Sequence, residues 1–148
     1  MEVKDSLNKL ILVGEDDIDD KEILEEIFLS LDASIKPTFI NDGQKLVSFL
    51  ENAPAEHLPG LIILDYNMPH LNGAEILRSL QQNDKIKNIP KIIWSTAHAD
   101  GFKNICMKLG AREYLVKPSS FTNLKSMLKG MLTYYQPVDN NNQFHLTE

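Results

Sequence analysis

Leu61-Ile-Ile-Leu-Asp-Tyr-Asn-Met-Pro-His-Leu-Asn-Gly73 is the stretch whose reading decides the fold. Four apolar residues, Leu61 to Leu64, run unbroken into a carboxylate, Asp65, and then into a loop punctuated by Pro69 and Gly73. A short continuous apolar run bounded by turn signals fits a strand buried on both faces, as in a parallel sheet. Asp65 then stands at the carboxyl end of that strand, where open α/β sheets place their ligands.

Leu10-Ile-Leu-Val13 repeats the design, ending after Gly14 in Glu15 and Asp16. Ile23, Leu24, Ile27, Phe28 and Leu31 form one apolar stripe of a helix, with acids in its first turns where the helix dipole favours negative charge. Pro37-Thr-Phe-Ile40 reads as a short edge strand closed by Asn41-Asp-Gly43, and Leu46, Val47, Phe49 and Leu50 as a second amphipathic helix. Asn52 to Gly60 is a loop, and Gly73 opens a third helix carrying Ile76, Leu77 and Leu80. Pro90-Lys-Ile-Ile-Trp-Ser-Thr96 is a fourth strand, and Phe102, Ile105, Cys106 and Leu109 mark a helix that Gly110 stops. Glu113-Tyr-Leu-Val-Lys-Pro118 is a fifth strand, after which Phe121, Leu124, Met127, Leu128, Met131 and Leu132 line a last helix. Five βα units in alternation call for a doubly wound, five-stranded parallel sheet with helices on both faces.

A chain of 148 residues is near the usual size of one domain and can bury a sizeable core without disulfides. Cys106 is the single cysteine, so no internal disulfide framework exists. No run approaches the ~18 apolar residues of a membrane span, and the first nine residues lack the apolar core of a secretory signal. These features lead to the expectation of a cytoplasmic protein with no membrane association. The net charge of -6, from 15 basic and 21 acidic residues, argues against nucleic acid as a direct partner. The expected organisation is an N-terminal extension over 1–8, one domain over 9–135 and a flexible Asn-rich tail over 136–148.

Four of the five strands end in polar groups: Glu15 and Asp16, Asp65, Ser95 or Thr96, and Lys117. In a parallel sheet these ends share one edge, so groups far apart in sequence converge. Three carboxylates near one ammonium repel unless a cation joins them, and hard oxygen donors without His or Cys favour Mg²⁺ over zinc. Mg²⁺ commonly works with phosphate oxygens, which points to phosphoryl chemistry at one of the carboxylates.

The chain resembles the receiver domain of bacterial two-component response regulators, in particular the stand-alone, chemotaxis-like single-domain type. The resemblance covers about Lys9 to Leu132 and rests on four motifs. These are Glu15-Asp16 after the first strand, Leu64-Asp-Tyr-Asn-Met-Pro69 followed by Gly73, a hydroxyl after the fourth strand, and Lys117-Pro118. It implies a flavodoxin-like strand order 2-1-3-4-5. It implies that Asp65 accepts a phosphoryl group from a sensor histidine kinase or phosphotransfer protein. It further implies that Asp16, Asp65 and the backbone carbonyl of Asn67 bind Mg²⁺, with Glu15 acting through water. Lys117 would pair with the acyl phosphate, and the Lys117–Pro118 bond is expected to be cis, as X-Pro linkages tolerate.

By the same resemblance, the switch hydroxyl lies 30 residues after the phosphorylated Asp and 22 before the Lys, which selects Ser95. Thr96 then fills a position that the family usually gives to a smaller residue, at the pocket rim. Tyr114, three residues before Lys117, matches the aromatic that moves inward on activation. Output is expected through the face of the fourth helix, fifth strand and fifth helix, toward an unknown downstream protein.

His57, His70, His98 and His145 are scattered without metal-ligand spacing. Cys106 falls on an apolar stripe, and Trp94 is expected to be packing and a fluorescent reporter of the site. The chain is thus expected to be a signalling switch without an effector domain, rather than an enzyme acting on other substrates. Two alternatives stand beside this reading. One is a Mg²⁺-dependent phosphohydrolase using Asp65, which would normally want an acid where Asn67 stands; the other is a phosphorylation-independent scaffold.

Overall fold

The computed structural model describes residues 8–96 and 100–138. The expectations concerning His98, His145, residues 1–7 and residues 139–148 lie outside these. The strands are β1 (Lys9–Gly14), β2 (Ile35–Ile40), β3 (Leu61–Asp65), β4 (Lys91–Ser95) and β5 (Glu113–Val116). The helices are α1 (Ile18–Leu31), α2 (Gly43–Asn52), α3 (Gly73–Gln81), α4 (Asp100–Lys108) and α5 (Phe121–Leu132), with a 3₁₀ turn at Ala55–His57 before β3.

All pairings are parallel and the order is β2-β1-β3-β4-β5, the expected doubly wound arrangement. Leu61 to Leu64 of β3 are each fully buried, because the central strand is covered on both sides. Alternate side chains feed two cores. Ile62 and Leu64 join the residues of α2 and α3 and Cys106 of α4. On the opposite face, Leu61 and Ile63 share a core with Leu24, Ile27 and Phe28 of α1 and Leu128 and Met131 of α5.

Edge strand β2 begins at Ile35, two residues before the expected start. Pro37 lies inside it opposite Ile11, a position an edge strand tolerates because only one side of it carries a ladder. Four helix starts are capped by side chains that the sequence places in the loops after the strands. Asp17 accepts from the Asp20 N–H, Asp42 from Lys45, Asn72 from Glu75 in a reciprocal capping box, and Ser120 from Asn123. After α4 the chain reverses at Gly110 (φ +103), a left-handed conformation that a glycine adopts without strain.

Several sequence expectations need correction. Ile23, Phe49, Phe102, Ile105 and Phe121 are exposed rather than interior, since the buried stripe of a helix packed on a sheet is narrower than its apolar content. Thr96 lies beyond β4, and Lys117 beyond β5, because the β4–β5 ladder pairing stops at Ser95 and Val116. No cis peptide bond occurs among the described residues, so Lys117–Pro118 is trans, the isomer that X-Pro bonds intrinsically prefer. The chain also stays attached past α5: the Gln136 N–H donates to the Gly60 carbonyl at 3.0 Å.

Candidate functional site

Strand order reverses between β1 and β3, so the loops leaving their carboxyl ends diverge and open a crevice. Glu15 and Asp16 follow β1, Asp65 ends β3, and Lys117 follows β5. One oxygen each of Glu15, Asp16 and Asp65 lies within 4.8 Å of the others; Glu15 and Asp65 are buried and Asp16 is exposed. Sequence reasoning brought these three together, and the fold does so too.

The Lys117 ammonium reaches across from the β5 side. It donates to Asp65 Oδ2 at 2.6 Å, to Glu15 Oε1 at 3.0 Å and to Asp20 Oδ2 at 3.3 Å. Its side chain is only 10% exposed, and its ammonium lies 5.0 Å from the centre of the Trp94 ring. Burial alone would lower the Lys117 pKa, but the charges and hydrogen bonds of Asp65 and Glu15 outweigh it and raise the pKa above that of an ordinary lysine. The second oxygen of Asp65, Oδ1, accepts the Asn67 N–H at 3.0 Å. Each oxygen of Asp65 therefore accepts a hydrogen bond from a described residue.

Glu15 carries the opposite consequence of the crowding. Burial pushes its pKa up to about 7 despite the nearby Lys117, and the charge of Asp65 adds to the rise. With more carboxylates than ammonium groups in one crevice, the most buried of them is the hardest to ionise. A divalent cation would supply the missing positive charge. The three carboxylates offer an all-oxygen donor set, which fits Mg²⁺ or Mn²⁺ and not a thiolate- or imidazole-seeking metal.

The loop after β3 is tied down at its far side. The Gly43 N–H donates to the Pro69 carbonyl at 3.0 Å, and His70, in a left-handed conformation (φ 71), pairs through Nδ1 with Asp42. A Cβ on Gly43 would stand 2.3 Å from the Leu71 carbonyl oxygen, so only glycine permits this approach.

Ser95 is fully buried at the end of β4, whereas Thr96 is exposed. Tyr114 is 7% exposed and packs edge-on against Tyr66, with ring centroids 6.4 Å apart; Tyr66 in turn stacks on Phe102 at 4.4 Å. Burial raises the Tyr114 pKa, and the neighbouring Ser95 hydroxyl opposes the rise, although the phenol oxygen completes no hydrogen bond among the described residues. Tyr114 thus already lies inward in this structure. Trp94 is buried with its indole N–H unpartnered among the described residues, and Cys106 is buried with its thiol pKa pushed up to about 11.

Asp20 was not among the sequence candidates. Its signal was present: the buried stripe of α1, extended one turn back from Leu24, lands on Asp20, so this acid stands on the crevice side of the helix, partly exposed at the rim.

A profile of the response regulator receiver domain matches residues 11–129. The chain is 29% identical over 133 residues to "Response regulator Rcp1" of Synechocystis sp., covering 86% of this chain and 88% of that protein. Among solved structures it is similar to the Mn(2+)-bound form of response regulator Rcp1, at 30% identity and TM-score 0.74, covering 84% and 92% of the two chains. The phosphorylated cyanobacterial phytochrome response regulator RcpA superposes with TM-score 0.78 over 86% and 94% of the chains; at 23% identity that likeness speaks for the fold.

Proposed function

The chain belongs to the response regulator receiver domain family of two-component systems, and from that premise we propose that it is a phosphorylation-controlled switch whose phosphoacceptor is Asp65. The observation that carries this reading is the convergence on Asp65 of Lys117, at 2.6 Å, with Glu15 and Asp16, whose carboxylate oxygens lie within 4.8 Å of it. An Asp65 oxygen attacks the phosphorus of a phosphohistidine on a sensor histidine kinase or phosphotransfer protein. The N–P bond breaks, its electron pair stays on the imidazole, and an acyl phosphate forms on Asp65. Lys117, freed from its carboxylate partners, pairs with a phosphoryl oxygen as the negative charge arrives.

Mg²⁺ would be held by Asp16, Asp65 and the Asn67 carbonyl, with Glu15 through water, and would neutralise charge on the phosphoryl oxygens. Ser95, at the end of β4, is the switch hydroxyl, and Tyr114 is the aromatic whose packing responds to it. Thr96 stands at the rim, where its methyl group narrows access for water. The signal leaves through α4, β5 and α5, where Phe102, Ile105 and Phe121 are exposed, toward a protein partner. Residues 9–135 form the receiver unit. Among the described residues no helix is long and apolar enough to cross a membrane; we place the chain in the cytoplasm with its phosphodonor. A phosphohydrolase is less well supported, because exposed Asn67, two residues beyond Asp65, cannot protonate a leaving group.

The test is intact-mass spectrometry with Mg²⁺ and acetyl phosphate. One labile phosphoryl adduct is expected on the wild type and none on Asp65→Asn. An adduct that survives the substitution would move the site elsewhere.

A further inference from the structure

Asp20 is the third carboxylate on the Lys117 ammonium, at 3.3 Å, and it differs from the other two. It sits in the first turn of α1 and not at a strand end, and its side chain is 43% exposed, whereas that of Glu15 is fully buried and that of Asp65 10% exposed. Its carboxylate has no capping duty, since the cap of α1 is Asp17, which accepts the Asp20 N–H at 3.0 Å. Nor does it belong to the three acids whose oxygens converge within 4.8 Å. Asp20 touches the lysine and stands outside the cation cluster.

We propose that Asp20 is a positioning residue that receives the Lys117 ammonium when a divalent cation takes Asp65 and Glu15. The inference rests on the metal reading given above and adds a residue to it. A cation at Glu15, Asp16 and Asp65 competes with Lys117 for the same two carboxylates, so the ammonium has to give way. With a side chain only 10% exposed it cannot withdraw into water, and an unpartnered buried ammonium is costly. Asp20 lies within reach at the rim and keeps the lysine paired beside the site. Being half exposed, it holds the lysine weakly enough to release it to an incoming phosphoryl oxygen.

Without Asp20, Lys117 stays on Asp65 and opposes the cation, and one negative charge near the cation is lost. Both effects weaken Mg²⁺ binding. The full chain is titrated with MgCl₂ by calorimetry and by Trp94 emission, which senses the lysine because the ammonium lies 5.0 Å from the ring centre. Asp20→Asn is expected to weaken Mg²⁺ binding about two- to fivefold, the range of a partly exposed charge pair. The melting temperature in EDTA should be nearly unchanged. Asp20→Glu, which keeps the carboxylate, should restore most of the affinity. In a Lys117→Gln background, Asp20→Asn should have much less effect.

Wild-type affinity in Asp20→Asn, or equal weakening in both backgrounds, would overturn the inference while leaving the metal site standing. Failure of the wild type to bind Mg²⁺ would overturn the metal reading and this inference with it.

Discussion

Glu15→Gln should make the metal-free protein more stable at pH 8, although it removes a charged partner of Lys117. The Glu15 side chain is fully buried beside Asp65, and its pKa is raised from 4.5 to about 7, chiefly by burial. The unfolded chain releases this proton near 4.5, while the folded chain keeps it until about 7. Between those values the folded state binds more protons, so stability falls as pH rises through the window. At about 1.4 kcal/mol per pKa unit the loss from this one group approaches ~3 kcal/mol, or about 6–12 °C in melting temperature for a domain of this size.

Glutamine cannot ionise, so the variant should lack this slope. Its amide oxygen can still accept the Lys117 N–H, a contact of 3.0 Å in the wild type, and the attraction of Lys117 is already contained in the raised value, so the gain at pH 8 approaches the same ~3 kcal/mol. The assay is urea denaturation followed by Trp94 emission, in EDTA, from pH 5 to pH 8. The two proteins differ at no other ionisable group, so every other contribution cancels in the comparison. Parallel loss of stability in the two proteins, or a variant weaker than wild type at pH 8, would refute the reasoning.

Other consequences are open to direct measurement. Ser95→Ala should still be phosphorylated at Asp65 but lose the response of Tyr114, whereas Thr96→Ala should keep it and mainly change the dephosphorylation rate; Tyr114 line shifts by NMR compare the two. An intact response in Ser95→Ala with a lost one in Thr96→Ala would show the assignment reversed. Gly43→Ala places a Cβ 2.3 Å from the Leu71 carbonyl oxygen, which should cost about 1–3 kcal/mol in urea denaturation and weaken Mg²⁺ binding through the Asn67 loop. Lys91, buried at the start of β4, donates to the carbonyls of Ile86, Lys87 and Ile89 at 3.0, 3.1 and 2.8 Å. Lys91→Met strands those carbonyls and should lower stability by about 2–4 kcal/mol, without altering phosphorylation at the opposite end of the sheet.

The strands and helices were legible along the chain because each is written in a local period: unbroken apolar runs for strands buried on two faces, spaced apolar residues for helices covering them. A parallel sheet then obliges the ends of its strands to share an edge, so the meeting of Asp65, Asp16, Glu15 and Lys117 followed from sequence before any distance was known. Tertiary structure alone decided what those groups do to one another. Lys117 lies 97 residues from Asp20 along the chain, and only the docking of α1 against the sheet turns that acid, among several in one run, toward the ammonium. The same holds for protonation: Glu15 and Asp16 are chain neighbours of similar chemistry, but the fold buries Glu15 and leaves Asp16 exposed, and it is burial that raises the pKa of Glu15. Tyr114 likewise reads as a strand tyrosine in either orientation; its burial and the Tyr66 ring packed edge-on against it put it inward. Periodicity is a property of neighbours along a chain, whereas pairing and burial belong to whatever the fold sets beside each group.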